Sequence, residues 1–553
     1  MTIKSFRLKY LVVLSLGLQA AAQELHVDKL VFDGTFGNGL EFDVDAVPFI
    51  HQVANDIDAN ASVYRVAIIG AGAAGASAAL SLVRTHANLS GSDAQPPSPL
   101  LVSVFEASDR IGGRAKTAVL PPPSPDCQLP SIQLSESCRE NSVTVELGAS
   151  MFVTINKHLM DAVARYNLTL TSKDKTPSAI RDEPSLPKYP DLGIYDGTSV
   201  FFAADTEDTW RFVWQAAWRW GILGPWRARS LSLAAADKFG KSYTLEQDSA
   251  LGFRNIKDFL VRGLGLDSKV LTQTAREYFL ENGVAEGFLD EFVEAATRVN
   301  YGQNLDCNAI AALICLVAAF VPGDSVVGGN HLIYEHMLAE SGASLFLKSR
   351  VAEIAKQSDK KYKLTSSDGK DLGTFDDVIL AVPGNSAAKD IKFIDIAHEP
   401  KILDFVHLHV TFVTGTLSHT FFNVQSAELL PSAILTTRAA GPTFNSIGVR
   451  HRFINDAHNT TITKIFSSEK LDEVVIANMY SRIVRVDRFE WDAYPVLNAW
   501  SEDQDYLVVL DENVDANGGV YHVNGFEAGF STMESETVAS ANVVQLVVNS
   551  WRH

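Results

Sequence analysis

The chain has 553 residues, 46% of them hydrophobic and 20% charged, with a formal net charge of −19. That length exceeds one compact core and predicts at least two intertwined lobes. The composition excludes wholesale disorder, and the acidic balance argues against nucleic acid as a partner.

Lys4, Arg7 and Lys9 precede an apolar run from Tyr10 to Leu18 and three alanines at 20–22. This is the layout of a secretory signal over 1–22, cleaved near Gln23, because the run is well short of the ~20 residues that cross a bilayer. Residues 23–62 are acidic, lack a sustained helical period and read as a leader or surface arm. Sequons at Asn60, Asn88, Asn167 and Asn459 fit a lumenal chain. The expected destination is the secretory pathway, with a secreted or lysosomal/vacuolar end point.

From Val66 to Ile69 the sequence reads as a buried strand, followed by Gly70, Gly72 and Gly75 at G-x-G-x-x-G spacing. Ala73 and Ala74 open an alanine-rich helix that runs to Arg84. A pyrophosphate needs this arrangement: a tight turn, backbone amides that can be approached, and a helix N-terminus with free N–H groups. Glu106 ends the next apolar strand, Leu100 to Phe105, where a carboxylate can take the adenosine ribose hydroxyls. The Pro-rich loop Ser90 to Pro99 accounts for the long gap between them.

Pro121 to Asn141 form an insertion carrying Cys127 and Cys138, which an oxidising compartment could link. Cys307 and Cys315 lie in an apolar stretch and read as buried thiols, and neither pair has zinc-type spacing. Trp210, Trp214 and Trp218 recur at helical spacing, joined by Trp220 and Trp226. They could line an apolar groove, pack in the core or rest on a membrane surface. Ala309 to Phe320 reads as a core helix closed by Pro322.

The continuation Arg110-Ile111-Gly112-Gly113-Arg114 resembles the second signature of the flavin amine oxidase superfamily. The resemblance implies FAD rather than a nicotinamide, with Arg110, Gly113 and Arg114 near the pyrophosphate. Glu146 to Ser150 is similar to that superfamily's flavin-facing segment, with Gly148, Ala149 and Ser150 against the isoalloxazine. Arg350 to Ile354 resembles the strand whose valine, here Val351, meets the adenine, and Asp377 to Pro383 resembles a third element. Tyr521 to Glu534 resembles the C-terminal element, with Thr532 and Met533 at the N-terminus of a helix aimed at the flavin.

The implied fold is α/β: a Rossmann-like FAD-binding domain of the amine oxidase (GR2) type with an interleaved α+β substrate domain. The FAD-binding domain is assembled from 63–160, 324–390 and 505–553, and the substrate domain from 161–323 and 391–504.

Leu192 to Gly197, Arg298 to Gln303, Gly328 to Asn330, Phe444 to Gly448 and Lys464 to Ser467 carry a closer resemblance, from about Tyr64 to Val548, to the prenylcysteine oxidase (prenylcysteine lyase) family. That family implies hydride removal from the carbon next to sulfur in farnesyl- or geranylgeranyl-cysteine. Water then adds, releasing free cysteine and a prenyl aldehyde, and O2 returns as hydrogen peroxide. Such chemistry asks little acid–base work of the protein, so the lack of a visible triad or metal cluster is expected. Asn300, Tyr301 and His331 are the candidate catalytic residues, with Gln303 a further polar group for the cysteine end or a water. The implied partners are a prenylated thiol and O2, with peripheral membrane contact. Alternatives are an amine or polyamine oxidase, an oxidase of another thioether or lipid, and a secreted flavoprotein without turnover.

Overall fold

The computed structural model describes residues 63–89, 99–127, 135–173, 190–206, 208–246, 252–441, 443–453, 458–513 and 517–551. The expected signal and acidic arm, with Asn60, lie outside these residues. Strand β1 (Tyr64–Ile69) is almost wholly buried and turns through the glycines into helix α1 (Ala73–Leu89). Parallel strand β2 (Leu100–Phe105) lies on one side of β1 in exact step from Tyr64↔Leu100 to Ile69↔Phe105, followed by Ser344–Phe346. On the other side come Asp377–Leu380 and Gly519–His522, both parallel, and antiparallel Val509–Glu512 at the edge. This β-α-β core is the doubly wound arrangement that leaves a crevice at the carboxyl ends of its strands. The six strands come from three separated stretches of the chain, 64–105, 344–380 and 509–522. A four-stranded sheet, 371–375, 362–366, 351–356 and 392–394, attaches to that lobe and carries it slightly past residue 390.

The intervening chain builds the second lobe. Helix α2 (Thr209–Trp220) turns Phe212 and Trp220 inward, where Trp220 packs on Phe202, Phe288 and Phe292. Glu291 holds this end by accepting from Trp220 Nε1 at 2.7 Å and from Arg219 Nε at 2.6 Å. Trp214 and Trp218 stack on each other and point outward, 66% and 82% exposed, beside Trp210. Of the three readings open for the Trp stripe, packing in the core holds for Trp220 alone, and the outward tryptophans line no interior groove.

Helix α3 (Glu294–Tyr301) leads into the helix Ala309–Phe320, most of which is buried as its apolar sequence demands. Helix α4 (His331–Ser341) then returns to pack on α1. Seven strands form the sheet of this lobe. Its edge is β6 (Tyr480–Pro495), followed by β3 (Phe405–Leu417), β5 (Thr461–Ser467), β4 (Ser446–Arg452), and strands 433–436, 192–195 and 200–204. Leu408, Val410, Phe412 and Ile462 of this sheet bury against Leu120, Val145 and Leu147 of the hairpin 116–120/143–148. That contact brings the sheet over the end of the hairpin at Gly148. The last helix, α5 (Met533–Ser550), lies along α1 and donates from Ser540 Oγ to Ala74 O at 2.7 Å.

Cys127 and Cys138 are disulfide-bonded, and Cys307 and Cys315 are buried free thiols. No helix among the described residues is long and apolar enough to cross a membrane.

Candidate active site

The glycine turn is sterically determined. A Cβ on Gly75 would fall 1.8 Å from Gly70 O, so no other residue lets α1 pack this close to its own turn. The Gly112-Gly113 turn docks on the first one: Gly112 N donates to Ala71 O at 2.9 Å, and a Cβ on Gly113 would lie 3.2 Å from Gly72 Cα. Two backbone turns thus meet without side chains between them, at the N-terminus of a 17-residue helix. Glu106 closes the cradle. Its carboxylate accepts from Ala71 N and Ser108 N, each at 2.8 Å, which fixes its direction and leaves lone pairs for ribose hydroxyls. Val351 begins a buried strand at a β-bulge, as suits a main chain that departs from its ladder to meet a base. These residues fit the adenosine diphosphate half of FAD.

The two arginines take partners that the sequence did not suggest. Arg110 folds over its own turn, donating to Ile111 O and Ala115 O at 3.1 Å, and so braces the Gly-Gly corner. Arg114 forms a bidentate pair with Glu527, at 2.7 and 2.5 Å, while Glu527 also accepts from Asn524 and Ser531. Glu527 has no exposed side-chain surface, whereas Arg114 keeps 27% open. Arg114 therefore joins the second glycine turn to the segment that leads into α5. Burial and neighbouring Glu527 push the Glu536 carboxyl far up, against the pull of Arg114. Thr532 caps α5 by accepting from Ser535 N at 3.0 Å, and Met533 begins the helix. Buried Glu534 in the first turn is consumed by His158 N, Leu159 N and Tyr243 Oη.

The segment Gly148 to Ser150 stands over the junction of the two lobes. Ala149 has φ +49°, a left-handed conformation that costs a non-glycine residue about 1–2 kcal/mol. The neighbours hold it there. Asn330, fully buried, donates from Nδ2 to Ala149 O at 2.7 Å and from its backbone N to Glu146 Oε1 at 2.6 Å, and accepts from Val326 N. From β5, the Lys464 ammonium donates to Glu146 O at 3.0 Å and Ser150 Oγ at 2.5 Å. From β6, Trp491 presses on Gly148, where a Cβ would meet the indole at 2.9 Å. Strain locked by three surrounding segments is what a preformed platform requires.

Charge at this platform is unusual. Burial raises Glu146 to about 7, against the pull of the Asn330 N–H, Lys464 and Arg450, and its Oε2 has no partner. Burial and the Arg450 charge press Lys464 well below its ordinary value, against the pull of Glu146. Arg450 makes no hydrogen bond or ion pair among the described residues, and its guanidinium lies over Gly448, opposite Lys464 in the ladder. An unpartnered guanidinium beside a buried amine and a carboxyl is equipped to receive a carboxylate.

The three residues expected to act on substrate are not drawn together. Asn300 is exposed and donates to Ala296 O of its own helix. Tyr301 is buried, donating to Ser531 O at 3.0 Å and meeting Tyr494 edge to face. His331 sits with Cβ against Gly112 of the second glycine turn. Gln303 and Arg298 are joints between elements: Gln303 binds Pro495 O and Leu497 N, and Arg298 binds Thr436 Oγ1, Asn304 Oδ1 and Gly441 O. Lys464, Arg450, Trp491 and Asn330 are the residues that sequence reasoning missed as site groups, although Lys464 and Asn330 lie in segments it singled out.

Comparison with known proteins agrees with both lobes. The prenylcysteine lyase family matches residues 203–553, and an NAD(P)-binding Rossmann-like domain matches 68–166. The chain is 26% identical to farnesylcysteine lyase of Arabidopsis thaliana over 498 residues, covering 88% of each. It is 27% identical to human prenylcysteine oxidase 1 over 514 residues, covering 88% of this chain and 89% of that one. Among solved structures, a putrescine oxidase triple mutant aligns over 88% of this chain and 100% of its own, with TM-score 0.50 and 12% identity, which speaks to the fold alone. More than half of the chain, including five of the seven strands of that sheet in full, is matched in this way, and the chain belongs to the prenylcysteine lyase family.

Proposed function

We propose that this protein is an FAD-dependent thioether oxidase that cleaves farnesyl- or geranylgeranyl-cysteine. The observation that carries the reading is that family similarity extends over the sheet supplying Lys464, Arg450 and Trp491 to the platform, beyond the widely shared cofactor lobe. The overall reaction balances as thioether, water and O2 giving prenyl aldehyde, free cysteine and hydrogen peroxide. Bound FAD supplies the two-electron acceptor. The protein's part is placement. Arg450 receives the cysteine carboxylate, Trp491 and the Tyr301–Tyr494 pair offer apolar walls, and the Asn330 and Lys464 contacts keep the platform rigid.

Anaerobic mixing with S-farnesylcysteine is expected to bleach the flavin, and in air to yield peroxide, farnesal and cysteine. A flavin that ignores farnesylcysteine but is bleached by spermine would reject the thioether reading. A second reading, an amine oxidase, draws on Lys464, a buried amine against the flavin-facing segment. The same amine panel decides between them.

We further propose passage through the secretory pathway, supported by the Cys127–Cys138 disulfide and by exposed Asn88, Asn167 and Asn459. Removal of N-glycans with a shift in mass tests it. The outward face of α2 and the turn after it fit an anionic lipid surface: Trp210, Trp214, Trp218, Ile222, Leu223 and Trp226 are exposed, and residues 209–230 hold four arginines and no acid in a chain of net charge −19. Trp214→Ala/Trp218→Ala is expected to weaken co-sedimentation with phosphatidylglycerol vesicles by roughly tenfold. Unchanged sedimentation, or a tryptophan-dependent dimer without vesicle binding, would reject the lipid surface.

A further inference from the structure

On the outer face of the seven-stranded sheet, the antiparallel strands β3 and β6 place four metal-ligating side chains together. His407 and His409 are two apart on β3 and so point the same way, and the register sets His409 opposite Glu490 and His407 opposite Asp492. Both imidazoles converge on one carboxylate oxygen: His409 Nδ1 lies 3.3 Å and His407 Nε2 3.9 Å from Glu490 Oε2. The possible ligand atoms of His407, His409 and Glu490 all fall within 4.8 Å of one another. A tetrahedral cation with bonds near 2.1 Å holds its ligands about 3.4 Å apart, so the spacing needs only small side-chain adjustments to enclose an ion.

Asp492 completes the pattern from behind. Its Oδ1 is 3.1 Å from His407 Nδ1, the ring nitrogen facing away from Glu490, and its Oδ2 accepts from Asn385 at 3.5 Å. A carboxylate on the far nitrogen fixes the tautomer that leaves Nε2 free to ligate and raises its basicity. Simple cross-strand charge pairing would need one histidine per carboxylate. Two rings aimed at a single oxygen, with a second carboxylate orienting one of them, go beyond that.

We propose that His407, His409 and Glu490 bind a divalent first-row cation, Zn2+ above all, with Asp492 as the orienting group and water in the fourth position. The donor set of two imidazoles and one carboxylate suits zinc and related borderline ions and disfavours calcium or magnesium. The ion would clip edge strand β6 to β3. Trp491, between the two acids, points to the opposite face against Gly148, so the clip lies directly behind the platform.

The test uses the untagged flavin-loaded protein titrated with zinc chloride by calorimetry, and with Co2+ followed to the red of the flavin envelope. One saturable equivalent, tetrahedral cobalt bands and a rise in melting temperature are expected. His407→Ala/His409→Ala should abolish all three while keeping the flavin content of the parent. Asp492→Asn should keep one equivalent but weaken it by about 10- to 100-fold. Absence of a saturable site, or one equivalent persisting in the double-histidine variant, would overturn the assignment.

Discussion

Replacing Arg114 with Met leaves the Glu527 carboxylate without its bidentate partner in a site closed to water, next to the Glu536 carboxyl. Breaking such a pair costs on the order of 3–5 kcal/mol. The stranded carboxylate limits the damage by taking up a proton. From an ordinary value near 4.3, at 1.36 kcal/mol per unit, protonation costs about 3.7 kcal/mol at pH 7 and about 1.6 kcal/mol at pH 5.5. The sign follows from the acid being protonated in the variant's folded state and ionised in its unfolded state: the deficit is smallest at low pH and grows as pH rises. The expected result in urea unfolding is thus a variant roughly 2 kcal/mol closer to the parent at pH 5.5 than at pH 7. Arg114→Met/Glu527→Gln should show a smaller deficit with little pH dependence, and should keep its flavin, since both terminal nitrogens of Arg114 serve Glu527. A pH-independent deficit in the single variant would refute the buried-pair argument. Flavin loss in a well-folded double variant would return Arg114 to the phosphate role that its motif resembles.

Gly75→Val places carbon where Gly70 O lies 1.8 Å from a Cβ, so the purified protein is expected to lack flavin absorbance altogether. Arg450→Ala removes the one charged donor at the platform with no partner among the described residues. KM for farnesylcysteine should rise by roughly 10- to 100-fold, the worth of a charge-assisted bond, with kcat far less affected; a fall in kcat at unchanged KM would contradict it. Glu146, raised to about 7, is protonated in the fold where the unfolded chain is ionised, so it makes the protein lose stability as pH climbs from about 4.5 to 7. Glu146→Gln should flatten that part of the stability profile, and an unaltered slope would disprove the raised value.

The cofactor half of the site was legible because its demands are local: a glycine turn, a carboxylate at a strand end and a platform glycine are each set within a few residues of the chain. Gly70 to Gly75, Glu106 and Gly148 sit where their spacing implies. The substrate half depends on strand register that spacing does not encode. Arg298 to Gln303 resembles a segment of the family and holds candidate polar groups, but buried polar side chains must find partners, and Arg298 and Gln303 found backbone carbonyls of 441, 495 and 301 rather than an open site. Lys464 lies 318 residues from Glu146 in the chain, and only the fold of β5 over the hairpin pairs them. Glu527 likewise reads as a helix-approach residue until Arg114, 413 positions earlier, meets it. The outward turn of the Trp stripe was undecidable from its period, since α2 has apolar residues on both faces and only Phe202, Phe288 and Phe292 choose between them.

The bond from Ser540 to Ala74 spans 466 residues. A ribosome delivers α1 with its glycine turn hundreds of residues ahead of α5, and the strands at 344–346, 377–380 and 519–522 arrive in between. The nucleotide-binding sheet therefore stays unfinished while those residues are made, with β1 and α1 exposing apolar faces that have no mate. Cofactor capture must wait for α5, and a chain cut just before Met533 would hold β1, α1 and both glycine turns but no closed cradle.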